Sequence, residues 1–135
     1  MKKGKSMKLV VKGVLPGLNE MTTANRTNRY KGNKQKREAT RLVYWSCRAC
    51  HLKKIKGIHD YEFIWYCKDK RRDKDNIMAG QKFIFDGLQE AGVIENDGWG
   101  QVGNISHSFL IDKNNPRVEV EIKERKNRGK LDDRN

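Results

Sequence analysis

The sequence predicts one compact domain of four β-strands and two α-helices, in the order strand, helix, strand, helix, strand, strand. Its 135 residues are enough for one hydrophobic core and too few for two of ordinary size. Between Ala39 and Leu52, apolar residues recur at intervals of three and four, which is typical of a helix. Over Val102–Ile111 and Arg117–Lys123 they alternate with polar residues, which is typical of strands half covered by a core.

The other elements follow from composition and from the turn residues between them. Met7–Val14 is predicted as the first strand, and the polar stretch 17–33, which has no apolar period, as a loop. Tyr61–Cys67 is rich in aromatic and β-branched residues and is predicted as the second strand. Ile77–Ala91 is predicted as the second helix, which Gly80 weakens in its first turns.

The folded domain is expected to occupy residues 7–123. Residues 1–6 are predicted to form a disordered basic lead-in, and residues 124–135, which are charged and poor in apolar residues, a flexible tail. No stretch approaches the roughly 20 apolar residues that a membrane span needs, and no signal-type apolar run follows the N-terminus. We therefore expect a cytoplasmic protein with three reduced cysteines.

The net charge indicates a polyanionic partner. The chain carries 30 Lys and Arg against 17 Asp and Glu, a formal charge of +13, which favours nucleic acid first and an anionic membrane surface second. Eleven of the basic residues lie between Ala24 and Lys56, where Glu38 is the one acid and Tyr30 or Tyr44 could stack on unpaired bases. The alternative is an ordinary exposed helix kept soluble by charge. The predicted DNA-binding residues are Arg26, Arg29, Lys31, Lys34, Lys36, Arg37, Arg41, Arg71 and Arg72.

Two carboxylates one residue apart, Asp73 and Asp75, follow the second strand and precede the second helix. They repel each other unless a cation or a proton is shared between them. Asp97, in the turn cluster after that helix, is expected to return to the point where they leave the strand. The three carboxylates would form an oxygen-only group that suits Mg²⁺, with Mn²⁺ as a substitute. The alternative is a solvated charged loop that caps the helix.

The cysteines and histidines allow further interpretations. The run of five residues from Cys47 to His51 has the C-x-x-C-H spacing of c-type haem attachment, but that chemistry belongs to exported proteins. A structural zinc site is a second possibility, with ligands drawn from Cys47, Cys50, His51 or His59, and Cys67. Because Cys47 and Cys50 lie inside a helix without a zinc-binding turn, we favour buried small hydrophobes as their role. We expect His107, on a strand, to be a structural histidine.

Several short pieces of the sequence resemble the RusA-type Holliday junction resolvases, especially the phage and prophage forms. They are Arg-Asp-x-Asp-Asn from Arg72, a lysine several residues later, Asp-Gly-Leu from Asp86, Ala-Gly-Val-Ile from Ala91 and Asn-Asp-Gly-Trp from Asn96. The strand followed by Leu-Pro-Gly-Leu-Asn at 15–19 is similar as well, so the likeness covers about residues 7–123. Two departures are visible. The bacterial form has a pair of acids where this chain has Asn96-Asp97, and the segment 77–81 is longer here.

The resemblance implies an α+β fold, with helices packed on a small mixed four-stranded sheet, that works as a homodimer with Mg²⁺. It implies that Asp73, Asp75 and Asp97 bind the metal and that Lys82 is the catalytic-site lysine. Lys82 shares a helix face with Asp86, which could instead neutralise it. The implied activity is resolution of branched DNA by paired symmetric nicks, in recombination and repair, by a phage or prophage protein without a small-molecule cofactor. The rival is a non-catalytic nucleic-acid-binding protein with a structural Cys/His zinc site.

Overall fold

The computed structural model describes residues 5–125 as four strands and four helices. The predicted lead-in at 1–6 and the predicted tail at 124–135 lie mostly outside this range. The four predicted strands are all present, and none of the described helices is long and apolar enough to span a bilayer. The elements are β1 (Ser6–Lys12), α1 (Leu18–Thr27), α2 (Arg29–Ala49), β2 (His59–Cys67), α3 (Lys74–Met78), α4 (Gln81–Glu90), β3 (Val102–Ile111) and β4 (Arg117–Glu124).

The four strands form one mixed sheet in the order β1-β4-β2-β3, so β1 and β3 are its edges. β4 pairs antiparallel with β1 and with β2, whereas β2 and β3 run parallel. A parallel pair needs a long crossover connection, and α3 and α4 belong to the crossover between β2 and β3. The predicted α+β class and the mixed four-stranded sheet are therefore confirmed.

One face of the sheet carries the hydrophobic core. Alternate residues of a strand point to the same face, and on β2 the buried hydrophobic residues are Tyr61, Phe63 and Trp65, in line with the buried His59. The amphipathic helices α2 and α4 bury their apolar residues in the same cluster. The other fully buried members from the strands and from these two helices are Leu9, Val11, Val43, Ile84, Leu88, Val118, Val120 and Ile122.

The polar stretch 17–33 is helical, so its prediction as a loop is wrong. α1 and the first five residues of α2 occupy it, but they bury only two small residues, Ala24 and Gly32, and such helical segments have no apolar period for a sequence to display. Local hydrogen bonds fix their starts instead. Glu20 Oε1 accepts from the Gly17 N–H at 2.6 Å, and Asn28 Oδ1 accepts from the Tyr30 N–H at 2.8 Å. The fold thus has two more helices than the sequence predicted.

The predicted second helix is divided into α3 and α4 at Gly80. A Cβ at Gly80 would lie 3.1 Å from Trp65 Cη2, so the missing side chain lets the crossover approach the sheet closely. The Gly80 N–H donates to the Ile77 carbonyl at 3.0 Å, which closes the turn of α3 before α4 begins. The local weakness that Gly80 indicated in the sequence is therefore the point where the helix breaks.

The buried face of α2 is narrower than the sequence indicated. Ala39, Val43 and Cys47, spaced four apart, are buried. Leu42 and Trp45 were expected on the same face, but they are 40 % and 56 % exposed. Because the buried residues are small, α2 approaches its neighbours closely.

α2 and α4 touch at Gly87. A Cβ at this position would lie 2.5 Å from Val43 Cβ and 3.2 Å from the Thr40 carbonyl oxygen. The carbonyl belongs to the backbone of α2, so the two helices would have to move apart to accommodate any larger residue.

We expect Gly87→Ala to lower the free energy of unfolding by about 1–3 kcal/mol, because overpacking outweighs a gain of about 1 kcal/mol in helix propensity. Urea unfolding followed by circular dichroism measures the change. The control is Gly100→Ala, where a Cβ meets no atom within 4 Å, and its stability should stay within about 0.5 kcal/mol of the original. A Gly87→Ala protein as stable as the control would contradict the close contact.

Candidate active site

Asp73 and Asp75 lie after β2, at the start of α3. Asp73 is the N-cap residue, yet its carboxylate accepts no capping hydrogen bond. Asp75, in the first turn, accepts one at 2.9 Å from the N–H of Asn76. Both aspartates are exposed. Helix capping therefore does not account for Asp73, whose carboxylate oxygens remain available to an external ligand.

The two aspartates line a cleft between the start of α3 and the end of β3. Phe109 and Ile111 belong to its apolar wall, and Lys74 Nζ lies 5.6 Å from the centroid of the Phe109 ring. The cleft encloses about 670 Å³, which is room for a hydrated cation and a phosphate group. Lys74 lies between the two aspartates in the sequence, where it was expected to offset part of their repulsion, and it lines the cleft beside them. The charged residues along the cleft are Asp69, Lys70, Arg72, Asp73, Lys74 and Asp75.

A buried asparagine joins this segment to the start of α1. Asn76 is 5 % exposed, and its Oδ1 accepts from the Asn19 N–H at 2.7 Å. A Cβ at Gly17 would lie 2.7 Å from the Asn76 carbonyl oxygen, so the close approach requires glycine. The contact unites 15–19 and 72–76, two of the pieces on which the family resemblance rests.

Arg72 strengthens the same contact. Its Nη1 donates to the Leu15 carbonyl at 3.2 Å and lies 3.4 Å from Glu20 Oε1. Only 28 % of the Arg72 side chain is exposed, so these partners occupy much of its guanidinium. Arg72 was predicted to bind DNA, but its observed contacts position the aspartate segment. Sequence reasoning did not assign this supporting role to Glu20 or to Asn76.

Asp97 lies at the opposite end of the sheet from Asp73 and Asp75. In the parallel pair, Val102 at the start of β3 is opposite His59 at the start of β2, and the two strands also end together. β3 has ten residues, or about 30 Å. Within residues 5–125 no three His, Cys, Asp or Glu side chains form a group that could hold a metal ion. The expected convergence of the three aspartates does not occur within one chain.

The course of α4 explains this separation. Gln81, at its start, reaches the middle of β3, where its Oε1 lies 3.1 Å from His107 Nε2. After its end, the Val93 carbonyl accepts from the Ile55 N–H at 2.9 Å, just before β2 begins. The helix therefore runs back along the sheet, and Asp97 emerges at the start of β2. Sequence reasoning had no information on this direction.

Asp97 itself lies in an exposed turn. Asn96 Oδ1 accepts from the Gly98 N–H at 2.8 Å, which is the hydrogen bond of an Asx turn. Trp99, two residues after Asp97, is 94 % exposed. A carboxylate and a large aromatic ring are thus exposed close together on the surface of the chain.

Lys82 does not line the aspartate cleft. Its Nζ lies 3.6 Å from Asp86 Oδ2, one helical turn away on α4, and 69 % of its side chain is exposed. Of the two possibilities that the sequence left open, neutralisation by Asp86 is the one observed. The assignment of Lys82 as the catalytic lysine stays a prediction.

The predicted DNA-binding residues of α1 and α2 are exposed, and among residues 5–125 none of them forms an ion pair. Tyr30, at the start of α2, is 69 % exposed beside them. Arg71, the remaining candidate, lies 3.7 Å from Asp69 at the edge of the cleft. We call the exposed cations of α1 and α2 the basic surface. It comprises Arg26, Arg29, Lys31, Lys34, Lys36, Arg37 and Arg41.

Cys47 is part of the hydrophobic core, as the favoured interpretation expected. Burial, with a smaller contribution from the neighbouring Cys50, raises the pKa of its thiol to about 12. The thiolate that would bind zinc is therefore strongly disfavoured. Cys50 is partly buried, with its Sγ 3.9 Å from the Val10 carbonyl oxygen.

His107 belongs to an aromatic stack that joins β2 to β3. Its ring stacks on Phe63 with centroids 4.8 Å apart, and its Nδ1 lies 2.9 Å from Trp65 Nε1. An indole N–H can only donate, so Nδ1 accepts, and Nε2 carries the proton toward Gln81. Burial lowers the pKa of His107 below 6.5. The expectation that His107 is structural agrees with these contacts.

The His107 site predicts a loss of stability in mild acid. The unfolded histidine binds a proton near its ordinary pKa of 6.5, whereas the folded one resists until the pH is lower. The contribution of His107 to the free energy of unfolding is therefore complete above about pH 6.5 and is lost as the pH falls below that value. Thermal unfolding midpoints should decline less steeply between about pH 7 and 5 in His107→Gln than in the original protein. His51→Gln, at an exposed position, is the control and should retain the original slope.

Comparison with known families matches residues 20–123 of the chain to the model of endodeoxyribonuclease RusA. The matched segment extends from the start of α1 to the end of β4 and includes the aspartate cleft, the basic surface and Asp97. A comparison with curated proteins finds no match. Nucleases of this family depend on a divalent metal and act on branched DNA junctions. With most of its length matched, the chain belongs to the RusA family of endodeoxyribonucleases, the enzymes that resolve Holliday junctions.

Proposed function

We propose that this chain is a Mg²⁺-dependent endonuclease that, as a homodimer, resolves four-way DNA junctions by paired symmetric nicks in recombination and repair. The observation that carries the proposal is Asp73, an N-cap carboxylate that caps nothing, beside Asp75 in a cleft lined with cations. By its resemblance to phage and prophage forms, we place it in a bacterial cytoplasm.

The residues of the cleft fit the proposed metal. Mg²⁺ in phosphate-processing sites is commonly bound by one or two carboxylates, with water and substrate phosphate as the other ligands. Asp73 and Asp75 supply two such carboxylates on one short helix. A bound Mg²⁺, or Mn²⁺ in its place, would supply the Lewis acid for attack of water on the phosphodiester.

The cations of the cleft have a separate task. Lys70 and Lys74 line it next to the aspartates, so they attract the phosphate and offset the repulsion between the carboxylates. Lys82 is our candidate for the cation that stabilises the leaving oxygen. Its ion pair with Asp86 is exposed, and such pairs are weak enough to exchange for a phosphate.

We propose that the third carboxylate comes from a second copy of the chain. Asp97 is separated from Asp73 and Asp75 by the length of β3 within one chain, and it lies in an exposed turn. A two-fold dimer makes every contact twice, so Asp97 of each copy would complete the site of the other. Two such shared sites would also suit paired nicks in the two matching strands of a junction.

Mixing two inactive variants tests the shared site. Asp75→Asn and Asp97→Asn should each reduce the rate of junction nicking by at least about 100-fold, because each removes a ligand. After subunit exchange, roughly half of the dimers are mixed and contain one intact site and one doubly altered site. In the presence of Mg²⁺, the mixture should therefore regain the ability to nick one of the two matching strands of a junction.

The outcome separates two arrangements of the active site. If one chain contributed all three aspartates to its site, no site in a mixed dimer would be intact, and the mixture would remain inactive. Each variant mixed with itself is the matched control. Full activity of Asp97→Asn alone would remove Asp97 from the site altogether.

The basic surface predicts the salt dependence of binding. Arg37→Ala/Arg41→Ala, which removes two exposed cations of α2, should weaken binding to all junction sequences alike. The slope of log Kd against log salt should fall by about 1 for each DNA phosphate that the variant no longer neutralises. Fluorescence anisotropy between about 50 and 200 mM salt, on an Asp75→Asn background that prevents cleavage, measures this slope.

Lys123→Ala is the control for this experiment, since Lys123 is exposed on β4 and lies 3.6 Å from Glu62. It removes a positive charge away from α2 and should leave the slope unchanged. If the control lowered the slope as much as the double variant, the attraction would come from net charge and not from the basic surface.

A further inference from the structure

β3 is an edge strand of unusual composition for this chain. Charged residues make up 35 % of the sequence, yet Val102–Ile111 contains no Lys, Arg, Asp or Glu, whereas each of the other seven elements contains at least one. Ile105, Leu110 and Ile111 are 39 %, 51 % and 49 % exposed. Edge strands are normally protected from pairing by charge, proline or a bulge. The other edge, β1, follows that rule with Lys8 and Lys12.

The backbone of β3 also has hydrogen-bonding groups that can pair with another strand. The Asp112 N–H donates to the Cys67 carbonyl at 2.8 Å, and the register with β2 is regular from Ile105 to Ile111. Amide groups alternate in direction along a strand, so those of the odd-numbered residues point away from β2. In the described part of the chain, β2 is the one strand paired with β3. Three successive outward positions, at Ile105, His107 and Phe109, are therefore open to another strand.

We infer that β3 is the surface through which two copies of this chain associate, as an antiparallel pair about a two-fold axis near residues 107–108. With a formal charge of +13, two copies repel each other over most of their surface. An uncharged strand is where that repulsion is least. An acidic partner would match the overall charge, but β3 offers it no cation. Small exposed side chains, Ser106 and Ser108, let the backbones approach.

This arrangement agrees with the position of Asp97, a step that rests on the proposed function. Antiparallel pairing places the start of β3 in one copy beside the end of β3 in the other. Asp97 precedes the start of β3, and Asp73 and Asp75 share their cleft with the residues at its end. Asp97 of one copy therefore lies at the same end of the paired strands as Asp73 and Asp75 of the other copy.

A proline at an outward amide tests the surface directly. Ile105→Pro removes a hydrogen-bond donor that β2 does not use, so the sheet of each copy is retained. Sedimentation should give twice the 15.8 kDa chain mass for the original protein and 15.8 kDa for Ile105→Pro. The matched control is Lys12→Pro on the other edge. There the Gly13 N–H faces β4, which leaves the amide of Lys12 pointing outward, and this variant should remain dimeric. A dimeric Ile105→Pro, or a monomeric original protein, would overturn the inference.

Cross-linking provides a second measurement that does not depend on the folding of a proline variant. An axis at 107 places residue 106 opposite 108, and an axis at 108 places 108 opposite its own copy, so Ser106→Cys/Ser108→Cys should form an intermolecular disulfide in either register. Lys8→Cys/Val10→Cys, with the same spacing on β1, should not. The opposite pattern would overturn the inference. Neither readout needs DNA or metal, so a β3 dimer that cuts nothing would count against the proposed function alone.

Discussion

The parallel pairing of β2 with β3 determines where the candidate catalytic groups lie. Parallel strands cannot be joined by a tight turn, so the chain must leave one end of the sheet and re-enter at the other. Asp73 and Asp75 lie where it leaves, and Asp97 lies where it re-enters. The distance between the carboxylates is therefore a property of the topology and not of a loop conformation. Small local movements would not bring them together.

The aspartate segment is held in place by residues that are distant from it in the sequence. Asn76 and Arg72 join it to the start of α1 and the loop before it, through two backbone groups and Glu20. The cleft thus has a rigid side at α3 and an open side toward solvent, where the cations lie. Such support lets Asp73 keep a carboxylate that has no side-chain partner among residues 5–125, because contacts of the neighbouring residues fix its backbone.

β4 could be predicted from sequence because alternation is a direct consequence of burying one face, and β2 because its aromatic and β-branched residues are typical of strands. β3 also alternates, although its inner face is only partly buried. α1 could not be predicted, since a helix that buries almost nothing leaves no period. The aspartate pair could be identified because two carboxylates separated by one residue repel each other unless a cation or a proton is shared between them. The distance to Asp97 and the pairing of Lys82 with Asp86 depend on the direction of α4, which no local pattern encodes. Asn76 was identified only as part of a motif, and its buried contact with Asn19 emerged from the fold.

α2 shows how the remaining surface is organised. It is 21 residues long, but the core takes only Gly32, Ala39, Val43 and Cys47 from it. Its basic residues are exposed and lie outside the core, so substituting them is expected to change the charge of this surface with little effect on the stability of the fold. If the basic surface binds DNA as we propose, selection could adjust the affinity for DNA and the rate of its release by exchanging single side chains along one helix, without changing the residues of the aspartate cleft.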